Sequence, residues 1–401
     1  FIEKMNQYIS ATQAKNLIEA NIQLTDSVEV SLLEALGMYS AEHIVAPIEV
    51  PSFDNSAMDG YGIRFLDLEK FDELKIVGEV PAGVNPQIEL STGECVRIFT
   101  GAKIPKGVDT IVVQEIVERE GDIIKFDRFK VKHKDNIRRR GSQTKVGEVI
   151  LPEHTLINHA VIGFLAGFGI KKIKVFSAPK IDLLYTGDEL RELGEPLEEG
   201  QIYNSNSYML QSALSEIGLK FRNIEHIKDD ENSTFEAVNK SLQNVDILIL
   251  TGGISVGDYD FVKSSLEKTG VEEVFYKINQ KPGKPVYFGR RGKQFVFALP
   301  GNPASVFSCY HNYVKPFILG CYGRVNFIKE QEFSIITNDI IKKNEAQTQF
   351  LKGYLDRGKV LVLGSQESYK MDSLVVANCM IEFPAGKTEI KSGEKVKIWK
   401  I

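Results

Sequence analysis

The chain has 401 residues, and at ~100 to 200 residues per domain that length predicts about two to four hydrophobic cores. Apolar residues make up 43% and charged residues 26%, which excludes a disordered chain. With 49 basic against 54 acidic side chains the formal net charge is −5, so no overall field attracts a nucleic-acid backbone and no nucleic-acid partner is expected.

The longest apolar stretches, 245–250 and 160–168, fall well short of the ~18 to 20 residues that cross a bilayer, so no membrane association is expected. The start, FIEKMNQYIS, lacks a basic n-region, an apolar h-region and an initiator Met; it reads as a trimmed start on a cytoplasmic protein. Cys95, Cys309, Cys321 and Cys379 show no C-x-x-C spacing, which argues for four reduced, buried thiols rather than disulfides or a zinc site.

Ser10 with Gln13, and Ser31 with Glu34, each read as a capping box opening a short helix, the second stopping at Gly37. From Phe53 to about Val149 short β-branched runs (LKIVGEV, CVRIF, TIVVQEI, DIIKF) separated by Gly, Pro and Asp predict antiparallel or barrel-like β structure without a long helix. The basic run at 130–140 reads as a solvated loop face, with an anion patch as the alternative. Residues 158–169 form an apolar helix candidate ending in glycines.

After Pro179 strands alternate with amphipathic helices. KIDLLYT, FRNIEHI, VDILILT and QFVFALP read as buried parallel strands, and 205–217, 232–243, 259–269 and 303–319 as crossover helices, giving an open, doubly wound sheet. Beyond about residue 326 the alternation of FSIIT, QFLKGYL, KVLVL and EKVKIW predicts a small terminal β-barrel.

In such a sheet ligands bind beyond the carboxyl ends of the strands. TGDEL (186–190), TGGISVGDYD (251–260) and LPGNPAS (299–305) each follow a predicted strand, so they should converge on one crevice. Gly252, Gly253, Gly257 and Gly301 allow close approach of backbone amides to a ligand, and helix amino termini favour its anionic groups. Any one such turn is also an ordinary strand-to-helix connection. None matches a dinucleotide or Walker pattern.

Lys277, Lys281 and Lys284, stiffened by Pro282 and Pro285, read as an anion-binding cluster, with a surface loop as the alternative. Asp188, Glu189, Asp258 and Asp260 would face the same crevice, and a hard cation reconciles these acids with an anionic ligand: Mg²⁺ takes carboxylate, phosphate and water oxygens. Either Asp188 or Glu189 could instead cap the next helix. Upstream, PSFDNSAMDGYGI (51–63) gathers Asp54, Asn55, Ser56 and Asp59 in what is either a ligand site or a turn.

Taken together, PSFDNSAMDGYGI, IFTGAKIP, TGDEL, NSN, GGISVGDYDF, KPGKP and LPGNPAS occur in an order that resembles the molybdopterin molybdenumtransferase (MoeA) family, to which gephyrin's carboxyl-terminal domain belongs. The resemblance runs from about residue 8 to the carboxyl terminus. It implies a multidomain α/β plus β fold: a helical/β linking and dimerisation domain (27–48 and 146–177), a β-rich insertion domain (49–145), a doubly wound molybdopterin-binding α/β domain (8–26 and 178–326) and a C-terminal β-barrel (327–401). It further implies a homodimer that inserts molybdate into adenylylated molybdopterin with Mg²⁺-dependent release of AMP, forming molybdenum cofactor, and a possible contact with a molybdopterin adenylyltransferase.

By motif position the resemblance implies active-site roles for Asp59, Thr100, Glu189, Asp229, Asp260, Lys277 and Lys281, with Asp59, Glu189 and Asp260 as metal ligands. It implies substrate contacts from Gly252, Gly253, Ser255, Lys284, Pro300, Gly301, Asn302, Ser305, Lys352 and Ser368, of which Lys284, Ser305 and Ser368 resemble residues near the oxyanion. Because Asp59 and Thr100 lie far from the crevice in sequence, a two-fold dimer is expected to bring the β-rich region of one chain to the crevice of its partner.

Two positions depart from the family pattern. Gln143 stands where an Asp is expected, removing a candidate metal-proximal carboxylate, and Lys352 replaces an Arg, exchanging a planar fork for a point charge. Weaker molybdate binding or altered tungstate selection would follow. Two further readings are a molybdopterin adenylyltransferase, against which the accessory domains argue, and a non-enzymatic scaffold, which would not need the acid and lysine motifs.

Overall fold

The computed structural model describes residues 8–254, 261–325, 332–337, 340–343 and 346–401. The chain divides into two compact units, one of residues 42–153 with 159–173, the other of 1–41, 154–158 and 174–401. Among the described residues no helix is long and apolar enough to cross a membrane.

The first helix, α1 (Ala11–Ala20), opens on the expected reciprocal capping box: Gln13 N donates to Ser10 Oγ at 3.1 Å and Ser10 N donates to Gln13 Oε1 at 2.9 Å. The Ser31–Glu34 pair makes the same kind of bonds, yet residues 32–37 form only successive turns. A capping box supplies two hydrogen bonds and no packing. Leu33 and Leu36 stay exposed and only Leu32 and Ala35 are buried, so the apolar face is a single turn long and does not stabilise further turns of helix.

The smaller unit is built on six strands: β1 (Gly60–Ile63), β2 (Glu73–Val80), β3 (Glu94–Ile98), β4 (Thr110–Val113), β5 (Val117–Glu120) and β6 (Ile123–Phe126). Their order is β4-β1-β3-β2-β6-β5. The sheet is antiparallel as the alternation predicts, except that β2 and β3 run parallel. The 13-residue connection from Val80 to Glu94 is long enough to return the chain to the same edge, a choice that residue pattern does not encode. The apolar stretch at 158–169 forms α2 (His159–Ala166).

In the larger unit the α/β sheet comprises β7 (Ile181–Thr186), β8 (Asn223–Ile227), β9 (Ile247–Thr251), β10 (Glu272–Tyr276), β11 (Tyr287–Arg291) and β12 (Gln294–Leu299) in the order β8-β7-β9-β12-β11-β10. The first four are parallel, β11 runs antiparallel to β12, and β10 runs antiparallel to β11. Strand β9 is buried throughout, and apolar up to its final Thr251, as both its faces are covered. Ile247 and Ile249 enter one core with Leu183 and Phe297, while Leu248 and Leu250 enter the opposite core with Leu184 and Val296. Helices α3 (Asn206–Ser215), α4 (Glu231–Ser241), α5 (Phe261–Lys268) and α6 (Pro303–Cys309) follow β7, β8, β9 and β12.

Three departures from the sequence reading have local causes. FRNIEHI is a half-buried edge strand, since among the described residues no strand pairs beyond β8. The helix predicted over 303–319 is broken by a π-turn at Tyr310–Val314 before α7 (Lys315–Cys321), where Pro316 cannot donate to the α-helical ladder. The two antiparallel strands β10 and β11 flank the lysine-proline segment, whose turn residues mask their short apolar runs.

Asp182 on β7 is wholly buried and receives both Arg222 Nε at 3.0 Å and Arg222 Nη2 at 2.5 Å. Removing the guanidinium strands a buried carboxylate, so Arg222→Met is expected to destabilise the fold by ~3 kcal/mol. Urea denaturation at pH 7 measures this, with Asp182→Asn/Arg222→Met expected to recover part of the loss.

The terminal barrel consists of β13 (Glu332–Ile336), β14 (Thr348–Asp356), β15 (Lys359–Val362), β16 (Cys379–Phe383) and β17 (Lys395–Lys400). The circuit β14-β15-β13-β17-β16 closes through pairing of β16 with β14. Gln280 and Lys281 add a short parallel bridge to Thr348 and Gln349 on β14. All four cysteines are buried and unbridged, and burial pushes the Cys95 and Cys321 thiols up to about 12.

Candidate functional site

Strand order changes direction around β7: the chain leaves β7 for β8 on one side and returns to β9 on the other. A crevice opens at such a point beyond the strand carboxyl ends. Here a cavity of about 540 Å³ is lined by Thr186, Gly187 and Glu189 after β7, Asp229 after β8, Thr251 to Ile254 after β9, and Gly301 to Pro303 after β12. The TGDEL, TGG and LPGNP turns therefore share one site.

Gly252 is at φ +86°, and a Cβ there would sit 2.5 Å from the Thr186 carbonyl oxygen. Only glycine fits this close crossing. Thr251 Oγ1 donates to the Pro300 carbonyl at 3.0 Å, which ties the second turn to the third. Asn206, at the amino end of α3, donates through Nδ2 to the Gly301 carbonyl at 2.7 Å. Its Oδ1 is buried with no hydrogen-bond partner among the described residues, although Asn206 lines the cavity. A ligand N–H or O–H would satisfy that acceptor.

Glu189 and Asp229 are the cavity's carboxylates. Thr186 Oγ1 donates to Asp229 Oδ1, and Asp229 N donates to Asp188 Oδ1 at 3.4 Å, fixing the Asp229 loop. Asp258 and Asp260, with Ser255 and Gly257, lie outside the described residues. Among the described residues no group of three or more His, Cys, Asp or Glu side chains converges as a metal cage. Glu189 and Asp229 are hard oxygen donors of the kind that Mg²⁺ takes, and ligand phosphate and water oxygens would have to complete its shell.

Lys277, Lys281 and Lys284 do not line the described cavity. Lys277 holds φ +68°, with its amide donating to Val286 O at 2.9 Å and its ammonium 4.6 Å from the Tyr276 ring centre. The Lys281 backbone pairs with β14, and the Lys284 ammonium lies 4.1 Å over the Tyr8 ring. Ser305 is buried within α6. Asn302 lines the cavity and its Nδ2 donates to Ser368 Oγ at 3.3 Å, so the barrel loop reaches the LPGNP turn. The Pro300 carbonyl is taken by Thr251.

Lys352 is 5% exposed, and its ammonium donates to the carbonyls of Ser365 and, at 2.9 Å, Lys370. Burial lowers its pKa. In the smaller unit, Thr100 donates to Asp59 Oδ1 through its amide and its hydroxyl, both at 2.8 Å. The amide bond first, then the hydroxyl, hold the Asp59 carboxyl below the usual range. Gln143 donates its amide to Val50 O at 3.0 Å. The basic run is engaged at its end: Arg139 donates to Asp54 at 2.6 Å and Arg140 pairs with Glu49.

Two features, one behind the cavity wall and one in it, escape the sequence reading: Glu192 braces the lining residues Tyr185 and Asn204 without lining the cavity itself. Glu192 accepts from Asn204 Nδ2 at 3.0 Å, Tyr185 OH at 2.8 Å and Tyr208 OH at 2.8 Å, uniting β7, the NSN turn and α3. Tyr369, brought from the barrel, lines the same cavity. Nothing in REL or SYK sets these residues apart, since their significance lies entirely in partners 7 to 16 residues away or in another domain.

The donors, Asn204 foremost and then Tyr185, hold the Glu192 carboxyl below its ordinary 4.5. A depressed carboxyl stabilises the fold above the unfolded pKa and loses that contribution as pH falls through the folded value. Glu192→Gln is therefore expected to be less stable than the parent at pH 7 by ~1 kcal/mol, with the gap closing below pH 4.5. Denaturation midpoints across that range measure it.

Three family profiles match in succession: "MoeA N-terminal region (domain I and II)" over residues 9–169, "Probable molybdopterin binding domain" over 182–320 and "MoeA C-terminal region (domain IV)" over 335–401. The chain is 36% identical over 380 residues to the molybdopterin molybdenumtransferase of Haemophilus influenzae, covering 93% of this chain and 94% of that one. It is 31% identical to the protein of that name from a Nostoc species, covering 96% and 91%. A crystal structure of the molybdopterin biosynthesis MoeA protein from Pyrococcus horikoshii superposes with a TM-score of 0.83 at 31% identity, covering 98% of this chain and 100% of that chain. With profile matches in the expected order and identity sustained along the chain, this chain belongs to the molybdopterin molybdenumtransferase family.

Proposed function

We propose that this chain inserts molybdate into adenylylated molybdopterin with Mg²⁺-dependent release of AMP, completing molybdenum cofactor. The observation that carries the reading is the cavity at the switch point of the α/β sheet, where three glycine-bearing turns meet Glu189 and Asp229 in a chain of this family. Glycine turns that let a ligand approach the backbone closely suit the phosphates of an adenylylated ligand, and the orphaned Asn206 Oδ1 suits a donor on its heterocycle.

Glu189 and Asp229 are the proposed holders of Mg²⁺ among the described residues, with Asp260 outside them. Bound there, the ion would neutralise charge on the phosphoanhydride as it is cleaved. The protein's own part is positioning: Thr186 orients Asp229, and Asn302 and Asn206 brace the third turn. The lysine-proline segment is the proposed source of positive charge for molybdate. Homodimer formation, service of the crevice by Asp59 and Thr100 from a partner chain, and contact with a molybdopterin adenylyltransferase belong to the same proposal; sedimentation analysis tests the dimer.

The deciding experiment is anaerobic incubation of the protein with adenylylated molybdopterin, Mg²⁺ and molybdate, followed by assay of AMP and of active cofactor. AMP release coupled to cofactor formation supports the proposal. Formation of adenylylated pterin from molybdopterin and MgATP would replace it with adenylylation, and absence of both would replace it with a scaffold.

A further inference from the structure

The segment between β15 and β16 is a strap fastened at both ends. At its base, Gln366 Nε2 donates to Lys352 O at 3.0 Å and Leu363 O at 2.8 Å, while Lys352 N donates back to Gln366 Oε1 at 2.9 Å. Ser365 adopts φ +50°, an unfavourable value for a side-chain-bearing residue, and its carbonyl is held by the Lys352 ammonium and, at 3.1 Å, by Ser373 Oγ. The same ammonium holds the Lys370 carbonyl at 2.9 Å. Lys352 thus spans the strap, gripping it on both sides of residues 366–369.

Between those two grips lies the tip. Ser368 O accepts from Ala304 N at 3.1 Å and Ser368 Oγ accepts from Asn302 Nδ2 at 3.3 Å, seating the tip on the first turn of α6. Tyr369 follows at once, 65% exposed, and lines the cavity. A large aromatic group held at the edge of a polar cavity suits the face of a flat heterocycle.

We propose that Lys352 is a positioning residue that acts through this strap: it fixes the 363–373 backbone so that Tyr369 covers the heterocycle of the ligand in the cavity. Its bonds go to protein carbonyls, so its effect on the reaction is indirect. The inference rests on the function proposed above for the identity of the ligand, but the fastening itself is a property of the free protein.

Hydrogen exchange on the ligand-free protein tests the fastening. Lys352→Met keeps the chain length and removes the donors, so amides of 363–373 are expected to exchange ~10-fold faster or more, with the α/β sheet unchanged, and Lys352→Arg is expected to restore protection. Binding is then read with adenylylated molybdopterin and, separately, with molybdate alone. Tyr369→Ala, exposed and safe for folding, is expected to raise KM for the pterin ~10-fold with little change in kcat and no change in strap exchange, and the Lys352→Met/Tyr369→Ala pair should weaken binding no further than either alone. Unchanged strap exchange in Lys352→Met, unchanged pterin binding in Tyr369→Ala, or loss of molybdate binding in Lys352→Met with a protected strap would each overturn the proposal. If the protein releases no AMP at all while the strap exchange behaves as expected, the proposed function fails and the fastening stands.

Discussion

Glu189→Gln is expected to lower Mg²⁺-dependent AMP release by ~100-fold or more while leaving the thermal midpoint within a few degrees of the parent. The side chain lines the cavity after β7 rather than packing in either core, so its charge is available to a ligand and its loss leaves no buried orphan. The change keeps shape, replaces one carboxylate oxygen with an amide NH2 donor and so removes the negative charge and one of the oxygens that a hard cation requires. Raising Mg²⁺ should recover part of the rate if the defect is metal affinity. Asp229→Asn should behave similarly but also loosen its loop, because the Thr186 hydroxyl then faces a neutral acceptor. Full turnover in Glu189→Gln would remove the metal assignment from this residue.

Gly252→Ala is expected to be the most damaging single-methyl change in the crevice, costing ~3 kcal/mol and most of the ligand affinity. Two effects add: φ +86° is strained for alanine, and the new methyl would lie 2.5 Å from the Thr186 carbonyl oxygen. Neither backbone can yield without disturbing the β7 and β9 ends that carry the cavity. Gly301→Ala is the matched control. No heavy atom lies within 4 Å of the methyl it would gain and its φ is not in the left-handed region, so stability should shift by less than ~0.5 kcal/mol. Calorimetry and AMP titration on the two variants separate a glycine required by the fold from one that leaves room for a ligand.

The amino-acid order alone determined the elements whose information is local. Apolar runs such as VDILILT specify strands covered on both faces, and alternation after residue 331 specifies a barrel wall. The Ser10–Gln13 pair specifies a helix start, and turns after successive parallel strands specify where the cavity opens. Each depends on contacts a few residues apart or on a periodicity visible within one element.

Tertiary structure alone decided whether local signals were used. Ser31 and Glu34 form their bonds without a helix because the buried apolar face beside them, Leu32 and Ala35, is only one turn long. β2 and β3 pair in parallel because the intervening loop permits it. Lys352 occupies a position where family resemblance suggested an oxyanion contact, yet the fold carries its ammonium to two strap carbonyls. Tyr369 gained its place in the cavity wall, and Glu192 its place behind it bracing Tyr185 and Asn204, from partners distant in sequence. A charged or aromatic side chain can satisfy itself on many surfaces, and only the packed chain fixes which donors and acceptors come within ~3 Å of it.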